Sequence, residues 1–155
     1  MVRRKRRILV LCTGNAARSQ MAEGLIRTAL GDQVEVFSAG TRPAGYVHPM
    51  AIQVMREIGI DISGHRSKSL TEFLHEPFDL ILTVCDAAAE ECPIWPGPVK
   101  RMHVGYPDPG RWAQDEERQL EEFRRVRDQM RAELLPILQR WIQHSKDHEI
   151  AQHPA

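Results

Sequence analysis

Cys12-Thr13-Gly14-Asn15-Ala16-Ala17-Arg18-Ser19 holds the residue types best suited to chemistry in this chain. The stretch follows an apolar run, Ile8-Leu9-Val10-Leu11, that reads as a buried strand. It precedes Gln20-Met21-Ala22-Glu23-Gly24-Leu25-Ile26, which reads as the opening of a helix. A short loop between a strand and a helix N-terminus gathers backbone N–H groups on one spot, and the helix dipole adds positive potential there. Arg18 adds a fixed fork of donors for a tetrahedral oxyanion. The result is an oxyanion cradle with a thiol at its base, whose field favours thiolate and makes Cys12 a nucleophile. The plain alternative is a small core cysteine at a strand end. A nucleotide-binding loop is a weaker alternative still, because it ends in Gly-Lys-Ser/Thr and this one ends in Ala17-Arg18-Ser19.

The elements that must position this loop alternate along the chain. A helix is expected over about Gln20 to Leu30, then a strand over Val34–Gly40. His48-Pro49 opens a helix to about Glu57, with Gly59 ending it. Ser69 to Leu74 reads as a short helix with a Ser69–Glu72 capping box. Phe78–Val84 is a buried strand delivering Cys85, and Val99–Val104 a fourth strand leading into the turn-rich loop Gly105-Tyr106-Pro107-Asp108-Pro109-Gly110. A long amphipathic helix begins near Asp115, and Pro136 either kinks or ends it. This order predicts an α/β fold: a single domain with a four-stranded parallel sheet and helices on both faces. Cys12, Cys85 and the Asp108 loop then share the C-terminal edge of the sheet, where such folds place their sites. The expected limits are a basic tail over residues 1–7, a catalytic domain over 8–144 and a frayed tail over 145–155.

Composition narrows the classes. Lys and Arg number 21, as do Asp and Glu, so no global field calls for nucleic acid or a membrane surface. No apolar run is long enough to cross a bilayer. Three cysteines without a signal peptide point to reactive thiols in the reducing cytoplasm. The seven histidines show no paired metal spacing, and no metal site is expected. The run Arg3-Arg4-Lys5-Arg6-Arg7 reads as a solvated tail at the far end of the first strand from Cys12.

Several separated motifs together carry a family likeness. Cys12-Thr13-Gly14-Asn15 with Arg18-Ser19-Gln20-Met21-Ala22-Glu23, Ser38-Ala39-Gly40, Val84-Cys85-Asp86 with Glu91-Cys92-Pro93, and Pro107-Asp108-Pro109 resemble the low-molecular-weight protein tyrosine phosphatase superfamily. Within it the chain is similar to the thioredoxin-coupled arsenate reductases, over about Arg6 to Leu134. The resemblance implies that Cys12 attacks arsenate held by Arg18 and the backbone of Thr13, Gly14, Asn15, Ala16, Ala17, Arg18 and Ser19, with phosphate or sulfate as competing oxyanions. It implies Asp108 as general acid, and Asn15 and Ser19 as shapers of the loop and hydrogen-bond partners of the thiolate. Cys85 then forms a disulfide with Cys12, Cys92 resolves it, and thioredoxin reduces Cys85–Cys92.

The residues support this scheme beside the likeness. Phosphate ester hydrolysis needs one thiol, whereas reducing a substrate without metal or flavin needs a second, and a third carries the oxidising equivalent away. Asp86-Ala87-Ala88-Ala89-Glu90-Glu91 favours helix, which holds Cys85 and Cys92 about 10.5 Å apart. A disulfide needs Cα atoms within about 7 Å, so oxidation must unwind the segment, with Pro96-Gly97-Pro98 as its continuation. No covalently bound cofactor is implied. Some members bind potassium through residues matching Asn15, Glu23 and Ser38 plus an acidic residue. Here Lys68 occupies the acidic position, and its ammonium would stand in for the ion. Gly110 after Asp108-Pro109 is expected to leave no aromatic wall for a phosphotyrosine ring. The alternatives are a phosphatase of phosphomonoesters or phosphotyrosine, against which Cys85 and Cys92 argue, and a non-catalytic oxyanion or redox sensor.

Overall fold

The computed structural model describes residues 4–93, 95 and 97–152, with side chains through Ser145. Arg3 of the basic run, Pro96 and residues 153–155 lie outside them. Strands β1 (Arg6–Cys12), β2 (Val34–Gly40), β3 (Leu80–Thr83) and β4 (Lys100–His103) form one parallel sheet in the order β2-β1-β3-β4. Helices α1 (Arg18–Leu30), α2 (Pro49–Glu57), α3 (Asp86–Glu91) and α4 (Glu116–Gln152) join them, with 3₁₀ turns at Leu70–Phe73 and Pro109–Trp112.

Ile8 to Leu11 and Leu80 to Leu82 are almost wholly buried, as strands covered on both faces must be. Ser38 on β2 bonds Glu23 of α1, so that face of the sheet carries α1, against which α2 and α4 pack. Side chains alternate along a strand, so Phe37 points to the opposite face. There its ring meets Phe73 and Phe78 at 5.7 and 5.9 Å, and Trp95 closes on Phe78 at 5.8 Å. Helix α4 lays Phe123, Val126, Met130, Leu134, Leu138 and Ile142 into the core.

Several elements differ in detail from the sequence reading. β1 starts at Arg6, inside the expected tail, and the basic residues are engaged: Arg4 pairs with Asp79 at 2.9 Å, Lys5 Nζ donates to Gly31 O, and Arg7 pairs with Glu76 and lies over Phe37 and Phe78. The Ser69–Glu72 capping box does not form. Ser69 accepts from Thr71 N, while the Glu72 carboxylate is drawn to the Arg66 guanidinium. Pro136 does not end α4, whose backbone runs on to Gln152. Burial of Leu138 and Ile142 beyond the proline, at about 1.5–3 kcal/mol each, outweighs a proline penalty of about 3 kcal/mol.

Candidate active site

The loop between β1 and α1 closes around the Cys12 sulfur. Sγ lies 2.8 Å from Ser19 Oγ and 3.2 Å from the Asn15 amide nitrogen. Asn15 adopts φ 49°, the left-handed conformation an asparagine tolerates, and this turns its amide inward. Ala17 caps α1 without a side-chain hydrogen bond, so no side chain competes for the amides of the first turn, and they remain available to an anion. Gly40 permits the closure: a Cβ there would stand 2.5 Å from the Thr13 carbonyl oxygen.

A buried network behind the loop fixes it. Asn15 Nδ2 donates to Ser19 Oγ at 2.8 Å and to Ser38 Oγ at 3.0 Å. The Ser19 hydroxyl, which accepts from that side, lies in turn against Cys12 Sγ. Asn15 Oδ1 accepts from the Lys68 amide and from Gln20 Nε2, both at 3.0 Å. Gln20 Oε1 accepts from His65 Nδ1, which leaves Nε2 of that ring to face Arg27. Burial holds the His65 pKa below its ordinary value, against the pull of Glu23. Sequence reasoning placed Lys68 beside Glu23 as the stand-in cation. Instead the direct partner of Glu23 is Arg27 at 2.8 Å, with His65 at 3.4 Å, while Lys68 Nζ donates to Arg66 O at 3.1 Å and acts on Glu23 only through space. Among the described residues no cluster of His, Cys, Asp or Glu could hold a metal ion.

In front of the loop opens a pocket of about 400 Å³ lined by Cys12, Thr13, Gly14, Ala16, Ala17 and Arg18. Arg18 Nη1 donates to Tyr106 O at 3.0 Å, which ties the guanidinium to the β4 side of the cleft. Asp108 lines the same pocket, where it caps the second 3₁₀ turn and accepts from Gly110 N at 2.9 Å. Tyr46, His48 and Gln119 complete the rim. Tyr46 corrects the expectation of no aromatic wall: the ring comes from the loop before α2 rather than from the Asp108 loop. Nothing in local spacing pointed to Tyr46 or Gln119. His48 was readable only as the residue opening a helix.

The second thiol is brought to the same edge. Cys85 follows β3 in extended backbone, and Val84 N donates to Leu11 O, extending the pairing of β3 with β1. Cys85 Sγ lies 3.3 Å from Thr13 Oγ1, inside the cradle's own loop. Helix α3 then carries the chain away to Cys92, and all three cysteines are free. Cys92 is half-buried against a pocket of about 200 Å³ between α3 and β4, and burial pushes its thiol pKa up. Both ends of α3 are held by exposed side-chain contacts: Asp86 with His103 Nε2 at 2.9 Å, and an ion pair of Glu91 with Arg42 at 3.2 Å.

Known proteins share this arrangement. Residues 7–148 match the family model described as low molecular weight phosphotyrosine protein phosphatase. The arsenate reductase of Bacillus subtilis is 45% identical over 123 residues, spanning 79% of this chain and 88% of that one. Among solved structures, an arsenate reductase in the phosphate binding state superposes with a TM-score of 0.69 at 28% identity, covering 87% of this chain and 98% of that one. A thioredoxin-dependent arsenate reductase of Corynebacterium glutamicum gives 0.62 at 29% identity over 91% of this chain and 63% of its own. A phosphotyrosine phosphatase framework whose relatives include arsenate reductases is thus what these residues build, and the chain belongs to the low molecular weight phosphotyrosine protein phosphatase family.

Proposed function

We propose that this protein is an arsenate reductase that works by a three-thiol cascade and is regenerated by thioredoxin. The observation that carries the reading is the meeting of two thiols at one sheet edge: Cys12 inside the cradle, and Cys85 3.3 Å from Thr13 of the same loop. A phosphatase uses only the first. The relatives named as arsenate reductases support the same reading.

The steps follow from the positions. Arsenate enters the cradle against Arg18 and the loop amides. Cys12 thiolate attacks arsenic, and Asp108 gives its proton to the departing hydroxide, which leaves as water. Cys85 thiolate then attacks Cys12 Sγ. The S–S bond forms as the S–As bond breaks, and its electron pair stays on arsenic, which departs as arsenite. Cys92 thiolate attacks Cys85 Sγ and returns Cys12 as thiolate. The Cys85–Cys92 disulfide takes two electrons from the dithiol of thioredoxin. Three free thiols fit a reducing cytoplasm. No helix among the described residues is long and apolar enough to cross a membrane.

The test is direct. Protein, arsenate, thioredoxin, thioredoxin reductase and NADPH are mixed, and NADPH oxidation and arsenite are followed together. One arsenite per NADPH is expected. Hydrolysis of phosphate esters without arsenite formation would establish the phosphatase instead.

A further inference from the structure

The proposed cascade sets Arg18 against arsenate, and a single contact aims it. Among the described residues the only hydrogen bond of its guanidinium runs from Nη1 to Tyr106 O at 3.0 Å, and no carboxylate pairs with it. A guanidinium carries several N–H donors, so the rest of the fork is left for an anion in the pocket that Arg18 lines. Where the fork points therefore depends on where the Tyr106 carbonyl sits. Tyr106 is itself held from both ends. Its backbone N–H donates to Val84 O at 2.9 Å, beside Cys85. Its hydroxyl donates to Glu133 Oε2 of α4 at 3.1 Å. Between these anchors the residue is buried, and Pro107 after it favours extended backbone. Glu133 stands on a firm base, because Met130 and Leu134 on either side of it in α4 are wholly buried.

We propose that Tyr106 is a positioning residue for Arg18: its hydroxyl, bonded to Glu133, fixes the carbonyl that aims the guanidinium at the oxyanion. This rests on the reading of Arg18 as the cation that holds the oxyanion. The path is short and continuous, from Glu133 through the Tyr106 hydroxyl and the Tyr106 carbonyl to Arg18. The Val84 bond fixes the nitrogen end of the residue and the hydroxyl fixes the ring. Together they set the Cα between them, and so the direction of the carbonyl. Burial, and then the Glu133 carboxylate, push the hydroxyl pKa up, so it stays a donor through the neutral range. Tyr106 does not line the pocket, so its effect on an anion passes through Arg18.

The hydroxyl and its acceptor can be removed separately. Tyr106→Phe deletes the hydroxyl and keeps the ring. Glu133→Leu deletes the acceptor, and Glu133→Gln keeps one in its amide oxygen. Each full-length variant is titrated with inorganic phosphate by calorimetry, and its melting temperature is measured. Tyr106→Phe and Glu133→Leu are each expected to weaken phosphate binding by about 3- to 10-fold. The double variant is expected to lose no more than either alone, because both cut the same path. Glu133→Gln is expected to bind near wild type. Glu57→Gln serves as the stability control: it breaks the contacts to Arg124 and Arg127, outside the pocket, and is expected to lower the melting temperature with phosphate affinity unchanged. Wild-type affinity in Tyr106→Phe, additive losses in the double variant, or equal weakening in Glu57→Gln would overturn the assignment. Arg18→Met tests the reading beneath it. If that variant binds phosphate as wild type does, the reading of Arg18 fails and the proposal falls with it. If it loses phosphate while Tyr106→Phe does not, the role of Tyr106 alone is refuted.

Discussion

Replacing Ala87 and Ala89 with glycine tests the conformational change that the cascade requires. Both are exposed on α3, so the substitutions remove little packing, Ala89 touching only the edge of the pocket beside Cys92. The helix has six residues, too few to be stable alone. Its tertiary support is one buried methyl, Ala88, at about 0.8 kcal/mol, and two exposed contacts, the Glu91–Arg42 ion pair and the Asp86–His103 hydrogen bond, at about 0.5 kcal/mol each. That leaves α3 held by about 2 kcal/mol, and open a few per cent of the time. Two glycines cost about 2 kcal/mol together, so the open fraction rises to about half. Amide exchange at residues 86–91 in the reduced protein is then expected to lose nearly all its protection. Transfer of the disulfide from Cys12–Cys85 to Cys85–Cys92 is expected to quicken by about tenfold, read by quenched alkylation and mass spectrometry after a single turnover. Faster amide exchange with an unchanged transfer rate would refute the reasoning, because it would show that α3 is not the barrier to the second bond.

Further expectations concern single residues. Cys92→Ser is expected to release one arsenite per chain and then stop, with Cys12–Cys85 trapped and visible by mass spectrometry; sustained turnover with thioredoxin would remove Cys92 from the scheme. Asp108→Asn is expected to bind arsenate normally and to slow adduct formation by about 10²–10⁴-fold, measured by rapid quench. At Glu57, the hydrogen bond from Arg124, helped by Arg127, holds the carboxyl pKa down at about 2. A depressed carboxylate stabilises the fold above its ordinary pKa near 4.5, and that contribution is lost as pH falls from there toward 2. Glu57→Gln is therefore expected to cost about 1 kcal/mol at pH 7, as a solvent-screened pair does, and to converge with wild type in acid urea melts.

The strand–loop–helix at Cys12 was legible because every part of it is local. An apolar run, a loop that ends in Arg18-Ser19 and a helix start are contiguous, and backbone geometry does the rest. Cys85 was legible as a strand end, and the parallel order that brings it beside Cys12 follows from alternating elements. The rim was not legible. Tyr46 and His48 reach the pocket from the loop before α2 and Gln119 from α4, and no periodicity records which faces meet there. Lys68 misled for a related reason: its place in the chain fits a partner for Glu23, but Arg27, one turn along α1, holds the carboxylate more directly. Glu72 had the spacing of a capping box, yet a guanidinium nearby outbid a single backbone amide.

Asn15 bears on how the protein sorts its substrates. Its side chain and carbonyl hold Ser19, Ser38, Gln20 and the Lys68 amide at once, and its left-handed backbone is wholly buried. The cradle is therefore rigid before any anion arrives, and reorganisation on binding is small. A rigid cup of amides and one guanidinium measures shape and charge, and phosphate matches arsenate closely in both. On the proposed reading selection at the binding step is accordingly weak, and phosphate is expected to compete for the cup. In the proposed cascade, sorting falls instead to the second thiol. An arsenic–sulfur bond yields its electron pair to a metalloid that accepts a lower oxidation state, and a phosphorus–sulfur bond does not. The proposed cascade thus tells the two anions apart by reducibility, after admission.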